Sequence, residues 1–184
     1  WIEMLLSPGA SLGGARPKAS VKDTNGHLWI AKFPSQKDEF DQGAWEFLVY
    51  QLAKECEINM AECKIQKFSS DHHTFLTKRF DRTTEGNRMH FASAMTMLGY
   101  SDGLDNTAGA SYLEIAEFLM SNGANVNHDL EELFKRIVFS ICVSNCDDHL
   151  RNHGFILTET GWILSPAYDI NPNETGTGLI LNIS

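Results

Sequence analysis

The sequence lacks any apolar run long enough to cross a membrane. Its longest apolar stretch spans residues 137–143, whereas a membrane-spanning helix needs about 20 apolar residues. The amino terminus also lacks the basic and then apolar pattern of a secretory signal. We therefore predict a soluble, cytoplasmic protein that has no membrane partner.

Positive charge is scarce as well. The 184 residues hold 15 Lys and Arg against 24 Asp and Glu, which gives a formal net charge of -9. A surface that coats nucleic acid has the opposite balance. The composition therefore predicts no direct binding to nucleic acid, and any anionic ligand would have to be held by local basic groups.

Cysteine is present only as four isolated residues, with no C-x-x-C pair. Cys142 and Cys146 lie four apart in an apolar run, a spacing typical of thiols in the core of a helical segment. We predict four reduced thiols, as is usual in a cytoplasm.

The pattern in the first part of the chain predicts a small antiparallel sheet with one helix. KASVKD and HLWIAKF read as a hairpin around a two-residue turn at Asn25-Gly26. Residues 45–55 have apolar side chains at helical spacing, and AECKIQKFS and HHTFLTKRFD read as two more strands. With 42% apolar residues, the chain can form one domain or two small lobes that share a cleft.

After Arg82 the pattern changes toward helices. FASAMTMLGY, SYLEIAEFLMSNG and DLEELFKRIVFSICVSN are predicted as helices, and HGFILTETGWILS as a final hairpin with its turn at Thr160-Gly161. We therefore predict an α+β fold with two lobes, residues 1–82 and 83–184, in which a sheet lobe precedes a mainly helical lobe.

Phosphoryl transfer requires a phosphate cover, a strand lysine, a base and oxygen ligands for a metal, and this chain offers each in that order. The glycine loop SLGGARPK could bring backbone amides close to phosphate oxygens. Lys32 lies on the following strand, where it could pair with phosphates, and Glu46 on the next helix could orient it. Taken singly, a glycine loop of this kind is usually a turn, Lys32 could be an exposed strand lysine, and a solvated carboxylate is the favoured interpretation of Glu46.

The segment NCDDHLRNHGF carries the most specific pattern. Asp147 and Asn152 have the D-x4-N spacing that places a general base beside the acceptor hydroxyl and an amide oxygen on a metal. Asp148 is the second choice for the base, or a structural or solvent-facing carboxylate. Downstream, Asp169 is positioned to supply the carboxylate ligand of Mg²⁺.

Two histidines in this segment allow a different interpretation. His149 and His153 lie four apart and could hold Zn²⁺ with Asp147 as a third ligand, as in a metal hydrolase. Gly154 would interrupt the helix that such a site requires, and the glycine loop and Lys32 would have no role. His149 and Arg151 could instead contact phosphate or orient the loop.

Four segments together resemble a known family. SLGGARPKA, LTKRFDR, NCDDHLRNHGF and LSPAYDI are similar to the HipA-type serine/threonine kinases, the toxins of bacterial toxin-antitoxin modules. The resemblance implies a protein-kinase-like fold, with ATP and Mg²⁺ as cofactors. Because the chain begins at Trp1 and family members extend further at both ends, we expect a core fragment of a longer protein.

The resemblance also implies residue roles. Asp147 is the predicted base, Lys32 the phosphate lysine, and Asn152 and Asp169 the magnesium ligands; Ser11 falls where the family has an autophosphorylated serine. Residues 13–18 would cover the nucleotide and residues 78–80 would line the adenine hinge. The predicted cofactor-binding residues are Gly13, Gly14, Ala15, Arg16, Lys18, Lys32, Lys78, Arg79, Phe80, His149, Arg151 and Tyr168.

By the same resemblance, the substrate is a protein, such as an aminoacyl-tRNA synthetase or another translation factor, and the partner is a DNA-binding antitoxin. The chain departs from the family at Asp148, where members have a small residue. Two other hypotheses remain open: a small-molecule kinase similar to the aminoglycoside phosphotransferases, and an inactive pseudokinase that binds an antitoxin.

Overall fold

The computed structural model describes residues 16–101, 103, 106–173, 176 and 178–183. In chain order the elements are β1 (Lys18–Lys22), β2 (Leu28–Lys32), α1 (Gln42–Glu55), β3 (Cys63–Gln66), β4 (Thr74–Lys78), β5 (Phe91–Ser93), α2 (Ala94–Met97), a 3-10 turn (Asn106–Ala108), α3 (Tyr112–Asn122), α4 (Val126–Cys142), β6 (Gly154–Thr158) and β7 (Gly161–Leu164).

The first four strands form one antiparallel sheet in the order β1-β2-β4-β3, with α1 packed on β3 and β4. Because side chains alternate along β2, Ile30 and Lys32 lie on one face and Trp29 and Ala31 on the other. Trp29 and Ala31 join a buried apolar cluster there. The predicted order of strand, strand, helix, strand, strand is confirmed.

The helix α1 is also confirmed, but only some of its apolar side chains lie on its buried face. Val49 is buried, whereas Leu48 and Leu52 are 43% and 45% exposed. Glu46 is buried instead, because this side of the helix faces Lys32. A polar contact within the fold therefore determines how the helix is turned.

Both predicted hairpin turns are wrong by one residue. In the first, the amide of Asp23 donates to the carbonyl of His27 (3.0 Å), so the loop holds three residues, 24–26, with Gly26 at φ +86°. The Asp23 carboxylate accepts from two loop amides and stabilises this longer loop. In the last hairpin, residues 159–160 form the turn and Gly161 pairs with Thr158.

The second half packs α3 and α4 against the sheet β5-β6-β7. The predicted helix in FASAMTMLGY is wrong in part, because residues 91–93 pair with β6 and only Ala94–Met97 is helical. Ser93 caps this short helix through the amide of Thr96 (3.2 Å), and Gly99 at φ +76° follows it. The helices α3 and α4 are confirmed.

The apolar core has a part that joins the two halves. This linking cluster contains Val49 and Ala53 of α1, Ile58, Phe139 of α4, Ala167 and Ile170. The predicted boundary near Arg82 falls between β4 and β5, which belong to different sheets, and the two domain ranges stay a prediction.

All four cysteines lie within the described residues and are free thiols. The core position predicted for Cys142 and Cys146 is wrong for Cys142, which is exposed, because the buried face of α4 contains Leu133, Arg136 and Ser140. Among the described residues, no helix combines the length and the apolar character that crossing a membrane requires.

The first hairpin yields a stability prediction. Burial alone would raise the pKa of Asp23, but donors from Trp29, His27 and Asn25 outweigh it and lower the pKa to about 2. A carboxyl with a lowered pKa stabilises the fold above its unfolded pKa of about 3.9, and this contribution disappears as the pH falls toward 2. After screening by water at a hairpin loop, we expect Asp23→Asn to cost about 1 kcal/mol at pH 7.

Urea unfolding between pH 7 and pH 2.5 measures this difference. The difference in the free energy of unfolding between the wild type and Asp23→Asn should become smaller below about pH 4. Asp71→Asn, in the exposed loop between β3 and β4, is the matched control and should change the free energy of unfolding by less than about 0.5 kcal/mol. A gap that stays constant with pH would contradict the assignment.

Candidate functional site

The centre of the site is the ammonium group of Lys32, at the end of β2. It contacts the carboxylate of Glu46 from α1 and, at 2.5 Å, Oδ1 of Asp169. The Lys32 and Glu46 side chains are only 12% and 10% exposed. Three segments far apart in the chain therefore meet at one buried cation.

Local interactions place both carboxylates. Asp41 caps α1 by accepting from the amide of Ala44 (3.1 Å) and also binds the backbone and ring of His73 at the start of β4. A Cβ on Gly43 would lie 2.2 Å from the carbonyl oxygen of His73, so only glycine lets α1 approach β4 this closely. Asp169 has a left-handed backbone (φ +59°), and the side-chain amide of Asn171 donates to its carboxylate at 3.0 Å.

The charges at this point reinforce one another. Burial alone would lower the pKa of Lys32, but Glu46 and Asp169 outweigh it and raise the pKa. Burial alone would raise the pKa of Asp169, but Lys32 lowers it to about 2. Burial raises the pKa of Glu46 against the opposing effect of Lys32. Lys32 is thus a fixed cation, and Asp169 is the more acidic of its two partners.

A cavity of about 330 Å³ opens beside this lysine. One end is aromatic: the ring of Phe80 lies 5.5 Å from that of Tyr168 and 5.4 Å from that of Phe91, between centroids. The other end holds Lys18, Lys32 and Asp169. A flat apolar ring joined to an anion fits this distribution. A larger cavity of about 690 Å³ lies behind residues 78–80, but its lining includes neither Lys32 nor Asp169.

The loop after α4 presents Asp147 to solvent. Ser144 has a left-handed backbone (φ +53°). The backbone N–H of the buried Asn145 then donates to the carbonyl of Ser140 at 2.8 Å. Asp147 is then 76% exposed, while the side-chain amide of Asn152 donates to its carbonyl oxygen at 2.9 Å. The D-x4-N spacing therefore closes a loop around the predicted base.

Asp148 has the opposite environment. Its carboxylate is buried and accepts from the hydroxyl of Tyr112 (2.7 Å), the hydroxyl of Ser140 (3.3 Å) and Nε2 of His153 (2.9 Å). Burial alone would raise the pKa of Asp148, but His153, Tyr112 and Ser140 outweigh it and lower the pKa. Of the roles left open for Asp148, its buried and fully bonded carboxylate fits the structural one and contradicts the solvent-facing one.

With this geometry in place, comparisons with known proteins become informative. The model of the HipA-like C-terminal domain matches residues 10–184. The chain belongs to this family. The HipA-type resemblance carried by the four sequence segments is therefore confirmed.

Two curated relatives of this HipA-like chain bear kinase names. A Haemophilus influenzae protein named "Putative kinase" is 27% identical over 88% of this chain and 52% of its own length. A Sinorhizobium fredii protein named "Putative kinase Y4dM" is 29% identical over 79% of this chain and 37% of its own length. The HipA-like chain thus spans about half the length of these relatives or less.

Two solved structures show the same fold. HipA of Shewanella oneidensis, in a complex with HipB and operator DNA, aligns with a TM-score of 0.73 at 21% identity over 93% of this chain and 46% of its own. The Helicobacter pylori proinflammatory kinase CtkA aligns with a TM-score of 0.63 at 18% identity, over 91% of this chain and 57% of its own. The predicted α+β, two-lobed kinase-like fold is confirmed.

The structure brings together many of the predicted site residues of the HipA-like chain. The cavity lining includes Lys18, Lys32, Lys78, Arg79, Phe80, Arg151, Tyr168 and Asp169. Asp147, His149 and Asn152 lie on the adjoining loop, outside this lining. The hydroxyl of Tyr168 donates to the carbonyl of Arg151 at 2.7 Å, which connects that loop to the cavity.

Other predicted residues have different positions. Arg16 was assigned to the nucleotide, but its guanidinium binds Asp38 at 2.5 Å and is absent from the cavity lining, because a nearby carboxylate satisfies it. Gly13, Gly14, Ala15 and the possible phosphorylation site Ser11 lie outside the described residues, so their roles stay predictions.

Four lining residues were missed: Ile30, Thr77, Asp81 and Phe91. Ile30 could have been found from the sequence, because it alternates with Lys32 on the same strand face. Asp81 binds the guanidinium groups of Arg79 and Arg82, and so shapes the predicted hinge. Phe91 was hidden because its segment was predicted as helical.

The zinc hypothesis receives no support within the described part of the chain. Nε2 of His153 faces Asp148, while Nε2 of His149 lies 4.0 Å from Asp147. No group of three or more His, Cys, Asp or Glu side chains among the described residues could hold a metal ion.

The two adjacent aspartates should differ sharply in their effect on stability. Asp148→Asn removes the charge from a buried network, and we expect it to lower the free energy of unfolding by about 2–4 kcal/mol. Asp147→Asn changes an exposed side chain and should cost less than about 0.5 kcal/mol. Urea unfolding of both variants at pH 7 measures this, and equal losses would be inconsistent with the assigned environments.

Proposed function

We propose that this protein is an ATP-dependent serine/threonine protein kinase of the HipA type. It would transfer the γ-phosphoryl group of Mg-ATP to a hydroxyl of a protein substrate. The observation that carries this proposal is the cavity whose lining combines an aromatic cluster, the paired Lys32, and Arg151 of the loop that exposes Asp147.

The aromatic end of the cavity suits the adenine base. Phe80 and Tyr168 offer ring faces, and Ile30 and Thr77 come from the opposing sheet. A base between these side chains would be removed from water, and ring contacts of this kind contribute about 0.5–1.5 kcal/mol beyond burial. Residues 78–80 border the same space, as expected of a hinge.

The charged end suits the phosphates. Lys32 is held as a cation, and Lys18 lies on the same side of the cavity. Asp169 offers a carboxylate and Asn152 an amide oxygen, which are donor types that Mg²⁺ accepts. When bound there, the ion would neutralise charge on the transferring phosphoryl group. Asp169 is well suited to this because its lowered pKa keeps it ionised at neutral pH.

Asp147 would act as the general base. As the acceptor oxygen bonds to the γ-phosphorus and the bond to the β-phosphate oxygen breaks in line, the hydroxyl proton would pass to the Asp147 carboxylate. Asn152 keeps the loop closed through the Asp147 carbonyl. The 76% exposure of Asp147 favours a large acceptor that approaches from solvent, such as a protein segment.

The proposed partner and substrate rest on the family resemblance. The solved HipA structure holds HipB and operator DNA, so we propose a DNA-binding antitoxin as partner of the whole protein. The substrate would be a cytoplasmic protein such as an aminoacyl-tRNA synthetase or another translation factor. Phosphorylation of Ser11 would add about -1.5 to -2 of charge to the glycine loop and oppose nucleotide binding.

Replacing the base tests the reaction. In the full-length protein, Asp147→Asn should reduce phosphate transfer about 10²- to 10⁴-fold. Its affinity for ATP should be retained, because Asp147 does not line the cavity. Radiolabelled ATP with mixed protein and metabolite acceptors measures transfer, and mapping of the label shows whether Ser11 is modified. Asp71→Asn, an equally exposed substitution in a remote loop, is the matched control.

Three results would reject this function. Equal transfer by Asp147→Asn and the wild type would remove Asp147 as the base. Label on metabolites alone would favour a small-molecule kinase. ATP binding without any transfer by the wild type would favour a pseudokinase that binds an antitoxin.

A further inference from the structure

The helix α4 contains two ion pairs of the same spacing with opposite exposure. Nη2 of Arg136 lies 2.8 Å from Oε1 of Glu132, and these side chains are 3% and 7% exposed. The pair Glu131 and Lys135, at 3.3 Å, is 70% and 38% exposed. Because a buried ion pair rarely stabilises a fold more than apolar residues of similar size, the buried pair calls for another role.

The buried pair binds the main chain just after α1. Oε1 of Glu132 accepts from the amide of Asn59 at 2.9 Å, and Nη2 of Arg136 donates to the carbonyl of Asn59 at 3.4 Å. Both backbone groups of one residue are thus held by the same pair. Ile58, the preceding residue, bonds back to the carbonyl of Ala53 at 3.0 Å, which ties this segment to the end of α1.

The same segment also binds the chain that leads to Asp169. The carbonyl of Asn59 accepts from the amide of Ala167 at 2.7 Å, and the amide of Ala61 donates to the carbonyl of Ala167 at 2.9 Å. Ala167 precedes Asp169 by two residues. The linking cluster packs alongside, with Ile58, Phe139 of α4 and Ala167 in contact as one buried group.

Two structural paths therefore lead from this pair to Lys32. One runs from Asn59 through α1 to Glu46, and the other runs from Ala167 to Asp169. Glu46 and Asp169 are the two carboxylates that hold the lysine. Neither Glu132 nor Arg136 lines the cavity, and the two paths are the hydrogen-bonded connections from this pair toward the carboxylates that hold Lys32. The charge of Arg136 also acts on Tyr168, which does line the cavity.

We propose that Glu132 and Arg136 are positioning residues for phosphoryl transfer, which fix Asn59 and Ala167 and thereby hold Glu46 and Asp169 around Lys32. This inference rests on the proposed function. The pair acts as a spacer between α4, α1 and the Asp169 segment, and its charges are needed because backbone amide and carbonyl groups must both be bound at one point. Displacement of such a support by about 1 Å can reduce a rate about 10²-fold.

The test is a double variant, Glu132→Leu with Arg136→Met, in the full-length protein. Removing both charges together leaves neither Glu132 nor Arg136 as an unpaired buried charge, and Asp129 keeps its bond from the amide of Leu164, so the protein should fold. We expect kcat for transfer to fall about 10²-fold, while KM for ATP changes less than about threefold because the aromatic wall is intact. Hydrogen exchange of the Asn59 and Ala167 amides should become faster.

The exposed pair supplies the matched control. Glu131→Leu with Lys135→Met makes the same chemical change one residue away on the same helix, and it should leave kcat, KM and both exchange rates unchanged. A second variant, Arg136→Lys, keeps a buried cation for Glu132 but loses the guanidinium nitrogen that donates to the carbonyl of Asn59. It should lower kcat about tenfold. It keeps the test decisive if the double variant does not fold.

Several outcomes would overturn the inference. These are an unchanged kcat per folded molecule, unchanged exchange at Asn59 and Ala167, or a rise in KM that accounts for the whole loss of kcat/KM. If the wild-type protein binds no ATP, the proposed function fails instead, and the exchange rates still show whether the pair holds the two segments.

Discussion

A single buried cation constrains this structure. Lys32 cannot remain charged in the interior unless anions surround it, because burial favours the neutral amine. Its two carboxylates come from α1 and from the segment after β7, and both must reach the same point. The orientation of α1 follows from this requirement, since the helix turns Glu46 inward and leaves Leu48 and Leu52 exposed.

The two adjacent aspartates show how a loop can separate structure from chemistry. Asp148 accepts three hydrogen bonds, from Tyr112 of α3, Ser140 of α4 and His153, and these attach the loop to the protein interior. Asp147, one residue earlier, points to solvent and is left available for an acceptor. The proposed base thus lies on a loop that its neighbour anchors, and it keeps its position without burying its own charge.

Much of this arrangement could be predicted from local pattern. Alternation and helical spacing identified β1, β2, α1, α3 and α4, and the order of lysine, D-x4-N and late aspartate predicted a site of which Lys32 and Asp169 are in contact. The errors arose where a distant partner decides the outcome. Residues 91–93 become a strand because β6 pairs with them, and Leu48 and Leu52 are exposed because α1 turns Glu46 toward Lys32. Neither partner is visible in a local window of sequence.

The cavity also explains why two lobes are required rather than one. Lys18, Ile30 and Thr77 come from the first sheet, while Phe91, Arg151 and Tyr168 come from the second half. A ligand in this space touches both halves, so its binding free energy adds to the contacts that hold them together. In its absence, the linking cluster, the Lys32 carboxylates and the hydrogen bonds of the Asn59 backbone maintain the spacing. The proposed nucleotide would therefore be both ligand and structural support, and the lobe arrangement should be tightest when it is bound.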